Sequence, residues 1–394
     1  MRTVAVISEF NPFHQGHRFF IESIRRDLGA DTCIIALMNG NYTQRGDVAI
    51  AEKFARAAAA VRGGVDLVLE IPFPFSVSSA EYYATAGVGM AASLGIVDTL
   101  AFGSECGDIS RLTAASVKLS SQKTAMAVRK AIAEDESLGH ASATQKVFAS
   151  LYGEEEAELL GQPNNILALR YLCANASLAS PLMTYTVKRR GCYHAKTLGE
   201  GISASAIRRE LTLGNTEKAL AALPSGVREL LAEEVAAGRA PATLSRLGNI
   251  FLSFFRIGVR AGESDLLARM HSAALRATDF EEFTTLVATK RYTNAHLRRA
   301  MWHRLLGITS ADLCEPVAYT QILAMNAVGR AALRRASRVC TISLLTKPAD
   351  GRSLVGAAAR QVAISQRADL LYPLAMPCEV PGDYALRAAP RRED

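Results

Sequence analysis

Among the 394 residues there is a single tryptophan, and no two of the seven cysteines form a CxxC pair. The cysteines stand at 33, 106, 173, 192, 314, 340 and 378. An odd number without metal-ligand spacing argues against a zinc ribbon and against a disulfide framework. No stretch reaches the ~18 consecutive apolar residues that a membrane span needs. The chain opens directly on VAVIS, with no basic segment leading into an apolar run, so no signal peptide is expected. A repeat of fixed period and a low-complexity linker are absent as well. These absences lead us to expect a cytoplasmic protein with reduced thiols. Hydrophobic residues make up 49% of the chain, enough for a sizeable core, and the length favours two or three domains.

Charge is unevenly placed. The net charge is +7, yet residues 1–215 carry 21 Lys/Arg against 21 Asp/Glu. Residues 216–394 carry 24 against 17, and within 287–338 nine basic residues face two acidic ones. A basic surface confined to one region suits a polyanion such as nucleic acid. It also suits an arginine-rich helical region kept soluble by charge.

The first half alternates between two patterns. TVAVIS (3–8), TCIIALM (32–38), DLVLEIP (66–72), VDTLAFG (97–103) and LMTYTVKR (182–189) read as strands. Segments 17–28, 51–64, 78–95, 108–133 and 165–175 read as helices. This alternation predicts an α/β domain over 1–215, with a parallel sheet and helices on both faces. Beyond residue 215 the pattern becomes helical, over 216–238, 243–260, 264–276, 279–287, 294–306 and 317–335. A short strand (340–345) and a helix (354–370) follow, so 216–394 is expected to be a mainly α-helical, basic domain.

The chemistry concentrates in EFNPFHQGHRFF. A strand enters, Asn11 and Pro12 turn the chain, and a helix begins near Gly16. A helix N-terminus presents unpaired N–H groups and partial positive charge, and therefore holds phosphate. Gly16 lets backbone approach a ligand, while His14 and His17 are able to donate to phosphate oxygens. Two histidines fall short of the three or four ligands of a metal site. A pair of turn histidines without a role is the remaining reading.

A first strand followed by HxGH opening the first helix resembles the nucleotidylyltransferase superfamily, whose Rossmann-like fold attacks the α-phosphate of a nucleotide. The superfamily's second signature, a Ser/Thr-rich segment, is matched by ISASAIR at 202–208. There Ser203 and Ser205 are placed to cap a helix and bind phosphate, with Arg208 adding a bidentate contact. Further segments sharpen the likeness: GNYTQRGD (40–47), FGSECGD (102–108), QPNNILALRY (162–171), KRYTNAHLRR (290–299) and, more faintly, QRADLLY (366–372). In this order they resemble the tRNA(Met) cytidine acetate ligase family. That family makes N4-acetylcytidine at the wobble position of elongator tRNA(Met), using acetate and ATP through an acetyl-adenylate.

The resemblance implies roles for particular residues. His14, His17 and Arg208 would stabilise charge at the α-phosphate and pyrophosphate. Ile7, Ser8, Glu9, Phe10, Asn11, Pro12, Phe13 and Gly16 would surround ATP, together with Gly103, Asn165, Ser203 and Ser205. Either Arg189 or Arg190 would be the nucleotide-binding arginine after the last strand. Gln44 and Arg45 would orient acetate or the target base. Mg²⁺ is expected with ATP, and no protein-held metal site. Lys290, Arg291, Tyr292, Arg298 and Arg299 form a basic stretch with interleaved aromatics, suited to gripping tRNA backbone and stacking an unpaired base. The competing reading is a small-molecule nucleotidylyltransferase of cofactor metabolism with an accessory helical domain.

Overall fold

The apolar runs of the first half all become strands, because each is short, β-branched-rich and closed by turn residues. The computed structural model describes residues 2–135, 137–189, 203–258, 264–289 and 292–393. Strands β1 (Thr3–Ser8), β2 (Cys33–Asn39), β3 (Leu67–Ile71), β4 (Thr99–Ser104) and β5 (Met183–Lys188) pair in parallel in the order β5-β4-β1-β2-β3. The chain winds from β1 outward to β3, then crosses to β4 on the other side of β1. The reversal point therefore lies at the carboxyl ends of β1 and β4, where sheets of this kind bind ligands.

Alternation along the buried strands feeds two cores. Ala5, Ile35, Leu37 and Leu69 pack under helices Ala80–Ser93 and Pro163–Ala176. Val4, Val6, Ile34, Ala36 and Met38 pack against helices Gln15–Leu28, Lys53–Arg62 and Ser225–Ala236. The helix expected over 108–133 is two helices, Ile109–Ser120 and Gln122–Glu134, because Ser121 caps the second through the Thr124 N–H. No helix of the described residues is long and apolar enough to cross a membrane.

The second half departs from expectation at 317–335. Residues Tyr319–Met325 form strand β6, antiparallel to β3, and only Ala327–Ala336 is helical. All seven strand residues are buried, so the segment carries no amphipathic period to separate strand from helix. Strands β7 (Ser343–Leu345) and β8 (Arg391–Arg392) both pair with β6. The sheet thus draws three strands from beyond residue 215. The helical region has its own core around Phe251, Phe255, Phe283 and Trp302, and that core takes in Tyr42 and Phe73 from the first half.

A buried charge cluster joins the two halves. Lys53 Nζ lies 2.8 Å from Glu70 Oε2 on β3 and 2.6 Å from Asp369 Oδ2 on helix Gly356–Leu371. Asp369, within the segment QRADLLY, also accepts from Asn41 Nδ2 at 2.9 Å.

Candidate active site

His14 occupies the N-cap of helix Gln15–Leu28, and the two histidines exchange hydrogen bonds with the helix start. The Gly16 N–H donates to His14 Nδ1 at 3.0 Å, and the His14 N–H donates to His17 Nδ1 at 3.2 Å. An Nδ1 that accepts carries no proton, so each neutral ring keeps its hydrogen on Nε2. Burial, then Arg189 and Arg208, lowers the His14 pKa to about 3. Burial, then His14 and Arg189, pushes His17 well below its ordinary value. Two neutral Nε2–H donors result, with ring centroids 4.0 Å apart. Gly16 is required here: a Cβ would stand 2.8 Å from His14 Cε1.

Phe10 and Phe13, expected around ATP, have side chains only 1% exposed. Their rings pack against His17, with centroids at 5.0 and 5.4 Å, and form its apolar seat. Phe10 adopts φ +43, a sparsely populated conformation for a bulky residue, at the point where the chain leaves β1. Ile7 points away from this turn and packs on Gly87.

ISASAIR reaches the same place. Ser203 caps helix Ala204–Thr212 by accepting from the Ala206 N–H at 3.1 Å. Arg208 Nη1 donates to the Asn11 carbonyl at 2.6 Å, and its Nη2 donates to Ser205 Oγ at 3.2 Å. Asn11 Oδ1 accepts from the Ile50 N–H at 2.8 Å, which fixes the turn that includes Pro12. Two helix N-termini and a guanidinium therefore converge beside the imidazoles, an arrangement made for polyanionic phosphate.

On the β4 side, the Arg189 side chain runs past Gly103, close enough that a Cβ there would meet Arg189 Cγ at 3.3 Å. Arg190 lies outside the described residues. Asn165 is 1% exposed, with both ends of its amide engaged. Its Oδ1 accepts from the Cys106 N–H at 3.0 Å, and its Nδ2 donates to Gln162 Oε1 at 3.1 Å. Glu105 accepts from the N–H groups of Asn164 and Asn165 at 3.3 and 2.8 Å, and so caps helix Pro163–Ala176. These side chains shape the turn after β4.

On the β2 side, the Gln44 N–H donates to Glu9 Oε1 at 2.8 Å, and Gln44 Nε2 donates to the Ser78 carbonyl at 2.6 Å. Helix Asn294–Leu305 is docked on this loop. Trp302 Nε1 donates to the Gly46 carbonyl at 2.9 Å, Arg298 pairs with Asp47 at 3.3 Å, and His303 Nε2 meets the Val77 carbonyl at 2.7 Å. Arg299 lies near Arg45; burial and that second positive charge lower its pKa to about 10. Among the described residues Arg299 has no hydrogen bond or ion pair. A half-buried guanidinium without a protein anion, in the field of a second positive charge, is suited to an anionic ligand. Tyr292 stacks on His296 at 5.4 Å, whereas Lys290 and Arg291 lie outside the described residues.

Sequence reasoning missed Arg56. Its buried guanidinium donates to the carbonyls of Ala51 (2.9 Å), Glu9 (2.6 Å), Asn39 (3.0 Å) and Gly40, clamping the ends of β1 and β2 together. The available signal was an arginine inside an alanine-rich helix buried on every face.

A family model described as HIGH Nucleotidyl Transferase matches residues 1–383. Curated tRNA(Met) cytidine acetate ligases of Exiguobacterium sibiricum and Syntrophotalea carbinolica are 35% and 33% identical to this chain. Each alignment covers 88% of this chain, and 90% and 85% of the respective relative. The crystal structure of Thermotoga maritima TmcAL bound with alpha-thio ATP superposes with a TM-score of 0.89 at 26% identity, covering 100% of both chains. The apo form of that protein gives 0.91 at 27% identity, again over 100% of both chains.

Proposed function

The chain belongs to the HIGH nucleotidyl transferases and, among them, to the tRNA(Met) cytidine acetate ligase family, and on that premise we propose that it acetylates the wobble cytidine of elongator tRNA(Met) to N4-acetylcytidine, with acetate and ATP as co-substrates. A cytoplasmic location accompanies those substrates. The observation that carries this reading is that the phosphate end (His14, His17, Arg208) and the basic helix of Arg299, docked on the Gln44–Arg45 loop through Trp302 and Arg298, share one edge of the sheet. The family match extends through that helix, which leaves the small-molecule nucleotidylyltransferase reading without support.

In the first step an acetate oxygen attacks the α-phosphorus of ATP and pyrophosphate leaves. No proton moves, so the requirement is charge stabilisation along an in-line displacement. His14 and His17 supply Nε2–H donors that stay neutral at working pH. The two helix N-termini and Arg208 supply fixed positive potential. Arg189 lies along the nucleotide side of the crevice. Arg45 and Arg299 hold anionic groups at its mouth.

Among the described residues no three His, Cys, Asp or Glu side chains gather into a metal cage. Mg²⁺ entering with ATP would be held by phosphate oxygens and water, neutralising phosphate charge.

The test is to incubate the protein with ATP, labelled acetate and total bacterial tRNA, then digest the tRNA to nucleosides. Labelled N4-acetylcytidine is expected, and is expected to vanish when tRNA is omitted or when His14 and His17 are changed to alanine. Unlabelled tRNA alongside pyrophosphate exchange driven by a different carboxylate or phosphate ester would overturn the reading.

A further inference from the structure

Acetyl transfer has a requirement that adenylation lacks. When the cytidine N4 amine attacks the acetyl carbonyl, a C–N bond forms and the C–O bond to AMP breaks. The nitrogen must also give up one proton. The histidines cannot take it: their Nδ1 atoms are occupied by backbone N–H groups, their Nε2 atoms already carry protons, and burial suppresses further protonation.

The carboxylates at this sheet edge are nearly all committed. Glu105 caps a helix, Asp47 pairs with Arg298, and Glu70 and Asp369 share Lys53. Glu52 caps its own helix through Oε2 at the Phe54 N–H, and its unpartnered Oε1 is buried away from solvent, the residue being 4% exposed. Glu9 differs. It directly follows β1 at the reversal point of the sheet, between the histidine turn and the Gln44–Arg45 loop, and it is partly exposed. Its backbone carbonyl is clamped by Arg56 Nη1 at 2.6 Å, and its Oε1 accepts the Gln44 N–H at 2.8 Å. Its Oε2 takes no hydrogen bond from any described residue. The carboxylate is held by one oxygen, and the other is left without a partner among the described residues at the reversal point of the sheet, between the histidine turn and the Gln44–Arg45 loop.

We propose that Glu9 is the proton acceptor of the acetyl-transfer step. The N4 proton passes to Glu9 Oε2 as AMP departs with the electron pair of the broken C–O bond. The proton is then lost to water, restoring the carboxylate. This assignment rests on the reading of the chain as an acetate ligase acting on cytidine.

The experiment separates the two half-reactions in the full chain. Wild-type protein is first assayed for acetate-dependent exchange of pyrophosphate into ATP; its absence would overturn the ligase reading itself. Glu9→Gln keeps an oxygen for the Gln44 N–H but cannot accept a proton. Its Kd for tRNA is expected within about threefold of wild type, and its single-turnover acetylation of tRNA is expected to fall ~10²–10⁴-fold further than its pyrophosphate exchange. Glu9→Asp is expected to recover part of that loss. Acetylation by Glu9→Gln at the wild-type rate overturns the proposal. So does an equal loss of exchange and acetylation, which would place Glu9 in adenylation or in folding.

Discussion

The indole Nε1–H of Trp302 donates to the carbonyl oxygen of Gly46 at 2.9 Å. Trp302 is 1% exposed, so this bond lies inside the helical core while its acceptor belongs to the loop of Gln44 and Arg45. Arg298 and Asp47 make a second tie one turn away. The basic helix is therefore a wall of the crevice, and a strict separation of tRNA grip from adenylation does not follow from its chemistry.

The tie makes two variants of one helix behave differently. Trp302→Phe keeps an aromatic ring in the core but strands the Gly46 carbonyl, which costs about 1–2 kcal/mol and loosens the loop. Both acetate-dependent exchange and tRNA acetylation are expected to fall. Arg299→Ala removes a guanidinium with no protein anion to satisfy. Its exchange is expected to stay near wild type, while tRNA binding weakens and the slope of log K against log salt drops by about one. Filter binding across salt concentrations, beside exchange assays, checks both. A parallel loss in the two variants would mean that Arg299 also shapes the adenylation site.

The histidine pair carries a pH signature. Above pH 6.5 His14 and His17 are neutral whether the chain is folded or not. As pH falls below that value the unfolded chain takes up a proton on each, while folded His14 resists until about 3 and folded His17 resists as well. Stability is therefore lost on acidification, by about 1.4 kcal/mol per pH unit for each histidine. The control is the double variant His14→Asn/His17→Asn, in which the amide introduced at the N-cap still caps the helix. Between pH 7 and 5.5, urea unfolding is expected to show about 2–3 kcal/mol more loss in wild type than in that variant. Equal losses in the two proteins would show that the imidazoles titrate freely in the fold.

Much of this is legible in the chain. Strands β1 to β4 announce themselves because both faces are largely buried, and a buried parallel strand is a continuous apolar run, while the edge strand β5 shows through its β-branched and aromatic residues. HxGH and ISASAIR each read as helix starts, and the Arg208–Asn11 contact joins them. Strand Tyr319–Met325 reads as helix from sequence because all seven residues are buried, Thr320 and Gln321 included, so no polar face sets a two-residue period. Arg56 and Asp369 escape for another reason, as does the burial of Trp302, read from sequence as one of the aromatics of the basic helix. Each is defined by a partner distant in sequence, and a lone polar residue carries no local mark of the carbonyl or ammonium it will meet. Asn165 is different again: its motif marks a helix start, and its amide bonds Cys106 and Gln162 there.

The Lys53 cluster turns one of those long-range pairings into a measurement. One ammonium sits between two carboxylates with side chains at most 8% exposed, and burial pushes Glu70 up to about 7 despite Lys53. Such a cluster is a weak source of net stability when intact and a large liability when broken, because the remaining charges cannot reach water. Lys53→Met is expected to cost about 3–5 kcal/mol in urea unfolding. Adding Glu70→Gln and Asp369→Asn removes the stranded carboxylates and is expected to restore a good part of it. Because Asp369 anchors helix Gly356–Leu371 to the strand that carries Glu70, the single variant should also open that helix to amide exchange ahead of the β1–β2 core. Wild-type stability and exchange in Lys53→Met would show that the apolar contacts of the helix hold it without the ion cluster.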